Sequence, residues 1–126
     1  MALTVKDLLA AANANVPKLQ PADLRTMIEK ADAVLIDVRD APELQQTGKI
    51  RGAIHIPRGM IEFRADSSTP YHNPALQKDK TIVLYCASGG RSALAGKALK
   101  EMGYESVYNA GGFKDLVDAG VATEQA

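Results

Sequence analysis

Apolar positions along the chain fall into helical and strand periods. Val5, Leu8, Leu9 and Ala12 sit at i, i+3, i+4 and i+7 behind Thr4, whose spacing to Asp7 resembles a capping box, and Pro17 stops the helix they predict. Pro21 opens a second short helix with Leu24, Met27 and Ile28 on one face. AVLIDV at 33–38 is a run of branched apolar residues, which predicts a buried strand. Asp40 and Glu43 flank Pro42 as another capping pair, so a short helix starts there and Gly48 ends it. AIHI at 53–56 predicts a second strand closed by Pro57, and TIVLY at 81–85 a third. Between them, 64–80 is polar and carries Pro70 and Pro74, which predicts a loop with at most one turn of helix. Residues 92–102 read as a helix, with Leu94, Ala95, Ala98, Leu99 and Met102 inward and Gly103 at its end. SVYNA at 106–110 is the fourth strand. Gly111 and Gly112 turn into a last helix at 113–119, and the tail from Gly120 is expected to fray.

Strands of nearly continuous apolar character alternate with helices. That pattern predicts an α/β fold, a parallel sheet with helices on both faces. A length of 126 residues suits one domain. Fifteen basic and fifteen acidic residues cancel, which argues against a general nucleic-acid or membrane-surface binder. No run approaches the roughly 20 apolar residues of a membrane helix. The N-terminal stretch reads as a helix rather than a signal peptide, because Asp7 interrupts its apolar run. With one cysteine there is no intrachain disulfide and no internal resolving thiol, and a reducing cytoplasm fits best.

That cysteine, Cys86, follows four apolar residues and precedes Ala87, Ser88, Gly89, Gly90, Arg91 and Ser92. In open α/β sheets ligands gather at the carboxyl ends of strands, where this residue falls. Small residues and two glycines let the backbone curl so that successive N–H groups point inward as an anion nest. The helix beginning near Arg91 adds its positive end, and the arginine adds a full charge. Together these favour the thiolate and attract an anionic substrate. The bland alternative is a small buried hydrophobe.

YCASGGRSA resembles the active-site loop of the rhodanese family of sulfurtransferases, whose pattern is roughly C-x-x-G-x-R-[ST]. LIDVRDAPEL at 35–44, GKIRGAIHIPRG at 48–59 and GYESVYNAGGF at 103–113 resemble three further motifs of that family, in the same order. Lys49 stands where the family commonly has histidine, and Phe113 where tryptophan is common, both at supporting positions. The resemblance implies a rhodanese-like three-layer domain at 17–126 behind an N-terminal helical extension at 1–16. It also implies sulfur transfer from thiosulfate or a related donor through a persulfide on Cys86, with cyanide, a thiol or an acceptor protein as the external acceptor. No cofactor or metal is expected. Four residues separate Cys86 from Arg91, one fewer than in phosphatases with the C-x5-R loop, so the resemblance points to sulfur rather than phosphate. The rivals are a non-enzymatic module that binds a protein or delivers sulfur, and a phosphatase or arsenate reductase on the same scaffold.

Asp37 and Arg39 are implied to lie beside the active loop as supporting residues, and a structural ion pair is the preferred reading of them. Arg58 and Arg64 follow the second strand; Arg58 is the candidate to steer a sulfonate-like anion, and Arg64 reads as solvated. Tyr85 reads as core, and Ser92 as a helix-start residue whose hydroxyl also comes within reach of the sulfur. His55 and His72 have neither zinc-ligand spacing nor an evident general-base role. The Gly111–Gly112 pair reads as permitting close backbone packing.

Overall fold

A computed structural model describes residues 2–126. The first cap closes as its spacing predicts. Asp7 N–H donates to Thr4 Oγ1 (3.2 Å) and Thr4 N–H donates to Asp7 Oδ2 (2.9 Å), starting helix α1, Val5–Asn15. Pro21 sits in the first turn of α2, Pro21–Lys30. At α3, Ala41–Thr47, the Glu43 carboxylate accepts from Asp40 N–H at 3.0 Å.

Strands β1 (Val34–Asp37), β3 (Ile54–His55), β4 (Ile82–Cys86) and β5 (Val107–Gly112) form a parallel sheet in the order β3-β1-β4-β5. All five residues of β4 are buried, so it needs apolar side chains on both faces. The strand period divides them: Ile82, Leu84 and Cys86 join Ile36 and Val38 in one core, while Val83 and Tyr85 join Leu35 in the other. The first core is closed by Val16 after α1, by α4 (Ile61–Ala65) and by α5 (Gly90–Glu101). Leu24 of α2 and Leu116 of α6 (Phe113–Asp118) close the second. This is the expected three-layer α/β arrangement. Among the described residues no helix is long and apolar enough to cross a membrane.

Several boundaries depart from the sequence reading. The chain after β3 forms a 3-10 turn, Arg58–Met60, and then α4, because Ile61 and Ala65 lie one turn apart and both bury. Helix α5 begins at Gly90 rather than Ser92, so Arg91 and Ser92 lie inside its first turn and Gly89 caps it. The inward face of α5 includes Ala93 and Gly96 as well as Ala95 and Leu99, while Leu94 is only partly buried. Gly111 and Gly112 belong to β5 itself. The tail does not fray throughout: Thr123–Glu124 forms β6, antiparallel to β2 (Lys49–Ile50). Glu124 secures that pairing, taking Lys49 Nζ at 3.0 Å and Gly52 N–H at 2.9 Å.

Candidate active site

Cys86 is the last residue of β4 and only 1% exposed. Gly89 N–H donates to its Sγ at 3.0 Å, and the Ser92 hydroxyl lies 3.4 Å away. Gly89 makes the loop possible, since its φ of +98° is a left-handed conformation that a side chain would strain. Burial pushes the Cys86 thiol up. Hydrogen bonds from the Ser92 hydroxyl and from the Ser92, Ser88 and Gly89 amides outweigh it, leaving the pKa below the ordinary thiol value. The loop amides and a hydroxyl therefore do the work assigned in the sequence reading partly to Arg91.

Arg91 points elsewhere. Its guanidinium grips Glu43 of α3 with both terminal nitrogens, at 2.7 and 3.0 Å, and Asp40 lies 3.9 Å off. Glu43 is correspondingly held at about 2, chiefly by the hydrogen bond from Arg91. The charge expected at the sulfur is thus engaged by a carboxylate, although its field still reaches the cysteine. The Arg58 guanidinium is likewise paired, with Glu62 at 2.9 Å one turn on. Arg64 is exposed. Ala87 and Ser88 are exposed and form the outer rim of the loop, with Gly90 half-buried behind them.

Asp37 and Arg39 form a buried ion pair, 2.8 Å between Nη2 and Oδ2. Arg39 also donates to Thr47 Oγ1 (2.9 Å) and Gly48 O (2.8 Å), and its guanidinium lies 4.2 Å over the Phe113 ring. The pair braces the end of α3 and the start of α6, a structural role, and Phe113 serves as the aromatic face. Tyr85 is core, its hydroxyl accepting Ile50 N–H at 2.9 Å. Each histidine contacts a backbone carbonyl, His55 that of Arg39 at 2.6 Å and His72 that of Leu76 at 3.0 Å.

The sequence reading missed Asn109. Its Oδ1 accepts both the Ser92 hydroxyl (2.7 Å) and Gly111 N–H (2.9 Å), and its Nδ2 donates to Gly89 O (3.0 Å). One buried amide thus ties β5 to the middle of the cysteine loop at Gly89 and to its helical end at Ser92. Asn109 is itself fixed by backbone bonds to Pro17 and Leu19, and by a register shift that leaves Ala110 unmatched in the ladder. A polar residue inside an otherwise apolar strand was the available signal. Gly112 approaches the loop so closely that a Cβ would lie 2.6 Å from Ala87 O, which bears out the close-packing reading for that glycine, whereas a Cβ on Gly111 would meet nothing within 4 Å and its φ of +90° is what favours glycine there.

A family model of the rhodanese-like domain matches residues 20–119, and the chain belongs to that family. It is 41% identical over 81 residues to the thiosulfate sulfurtransferase PspE of Escherichia coli, spanning 64% of this chain and 71% of the relative. The solution structure of a polysulfide-sulfur transferase homodimer from Wolinella succinogenes superimposes with a TM-score of 0.76 at 34% identity, over 96% of this chain and 87% of that one. A Rhodopseudomonas palustris protein of unknown function, described as a possible tyrosine phosphatase, superimposes with a TM-score of 0.90 at 38% identity, over 98% and 96%. The chain is a rhodanese-type enzyme whose general activity is sulfur transfer.

Proposed function

We propose that the enzyme moves a sulfane sulfur from thiosulfate or a related donor to a thiophilic acceptor through a persulfide on Cys86. The observation that carries this reading is the buried sulfur at the strand end, facing the Gly89 amide and the Ser92 hydroxyl with its pKa depressed. The Cys86 thiolate attacks the outer sulfur of thiosulfate. A sulfur–sulfur bond forms as the donor's own sulfur–sulfur bond breaks, and sulfite leaves with that electron pair. The terminal sulfur of the persulfide carries the negative charge, which the amides from Ala87 to Ser92 stabilise. Cyanide or a thiolate then attacks that sulfur, giving thiocyanate or a new persulfide and restoring the Cys86 thiolate. Among the side chains, Ser92 orients toward the sulfur, while Asp37 and Arg39 hold the frame; the Arg58 charge is offset by Glu62, so the incoming anion is met chiefly by the loop amides. The reading needs no metal or organic cofactor, and a reducing cytoplasm suits the unpaired thiol.

Intact mass measurement after incubation with thiosulfate tests this, with Cys86→Ser as control. The expected result is gain of one sulfur atom, reversed by cyanide with release of thiocyanate. No adduct from thiosulfate or a second sulfane donor overturns it and leaves the protein-binding module. The description of the Rhodopseudomonas palustris neighbour favours a second reading, phosphate hydrolysis. The four-residue loop and the engagement of Arg91 by Glu43 weigh against it. Turnover of a phenyl phosphate without any thiosulfate turnover would reverse that order.

A further inference from the structure

Cysteine loops that cradle anions are selective through which positive groups they present. In this loop the amides are presented and the arginine is withheld. The Arg91–Glu43 fork joins α5 to α3 across 48 positions of sequence and engages both terminal nitrogens of the guanidinium. The same Glu43 carboxylate also accepts Asp40 N–H, so its place is set by the start of α3 and not by Arg91 alone. We infer that Glu43 is a specificity-determining residue. By holding Arg91 in a fork it keeps a full positive charge away from the loop, so that the pocket accepts a single sulfur atom on amides and discriminates against compact oxyanions such as phosphate.

The inference rests on the reading of the loop as an anion cradle and deepens it. Arg91 is the second residue of α5, directly behind the amides that face Cys86, and its charge is within electrostatic reach of the sulfur. Freed of its partner, it would give phosphate a charge-assisted donor that the amides alone do not supply. Glu43 stays ionised throughout the working range, so the fork persists there. Asp40 is the other acidic group facing Arg91; at 3.9 Å and three-quarters exposed it is the weaker partner.

The test follows the rate at which iodoacetamide alkylates Cys86, and the concentration of inorganic phosphate that halves that rate. Glu43→Gln keeps an oxygen for Asp40 N–H and removes the charge. It is expected to lower the half-protecting phosphate concentration about tenfold, and to move the alkylation pH midpoint down as the thiolate meets an uncompensated cation. Asp40→Asn alone is expected to change protection less than about twofold. Arg91→Met in the parent should leave phosphate protection within about twofold, and added to Glu43→Gln it should abolish the gain. Protection unchanged or weakened in Glu43→Gln overturns the inference, as does a tenfold loss in Arg91→Met alone. If Glu43→Gln fails to fold, the Arg91→Met result decides by itself in the same sense. Alkylation needs no sulfur donor, so absence of a persulfide would overturn the proposed function and leave this outcome separately readable.

Discussion

The Cys86 sulfur shares one serine hydroxyl with an amide. Ser92 Oγ lies 2.7 Å from Asn109 Oδ1 and 3.4 Å from Cys86 Sγ, and it carries a single proton. Charging the sulfur draws that proton toward it, which is how the hydroxyl helps depress the thiol. Ser92→Ala is therefore expected to raise the pH midpoint of Cys86 alkylation by up to about one unit, the worth of one modest hydrogen bond. A midpoint that does not rise would assign the hydroxyl wholly to Asn109. Asp37 is a residue of another kind, since removing it strands the Arg39 charge in a site only 2% exposed. Asp37→Ala is expected to cost about 3–5 kcal/mol in denaturant unfolding, a large part of the roughly 5–15 kcal/mol of a domain. Both side chains were legible as chemistry in the sequence. So was the pairing of Asp37 with Arg39, whereas the contacts of Ser92 with Asn109 and of Arg39 with Thr47 were not, because Asn109 and Thr47 come within reach only once the strands and α3 are in place.

Close contact between elements is set by glycine. At Gly112 the obstacle to a Cβ is Ala87 O at 2.6 Å, a backbone atom that moves only if the cysteine loop moves. Gly112→Ala is expected to displace the loop, and thiosulfate turnover should fall by at least about tenfold while far-UV circular dichroism stays helical and sheet-like. At Gly96 on α5 the obstacle is Val16, whose methyl carbons would stand 2.9 and 3.1 Å from the new Cβ. Gly96→Ala should push the end of α1 off α5, lowering the melting temperature while leaving activity per folded molecule near the parent value. Helix periodicity and caps made most elements visible in advance. The start of α5 was misplaced because Gly89 caps it by backbone conformation rather than by a side chain, and α4 was not anticipated because two apolar residues are a weak periodic signal.

Across the whole molecule, charge pairing ties distant segments together and makes stability depend on pH. Glu43 has an ordinary pKa of 4.5 and is held at about 2 in the fold. A carboxylate depressed on folding contributes stability above its unfolded pKa and loses it as pH falls through the folded one. The stability advantage of the parent over Glu43→Gln is thus expected to be full near pH 6, to shrink between about pH 4.5 and 2, and to vanish below, as followed by denaturant midpoints. An advantage independent of pH would mean that the carboxylate charge does not hold α3 to α5.

The sequence alone determined the alternation of strands and helices, the fully apolar strand that ends at the cysteine, and the order of the four motifs that mark the family. These are written in local periods and short spacings, which need no knowledge of distant neighbours. The tertiary structure decided which donors reach the sulfur, where the arginine's charge goes, and which amide anchors the loop. Arg91 and Glu43 are 48 positions apart and Ser92 and Asn109 are 17 apart, and each pair meets only because a parallel sheet gathers the carboxyl ends of its strands on one edge. For groups this far apart in the chain, hydrogen-bond and ion-pair choice is a short-range competition in space, and no local pattern encodes its outcome.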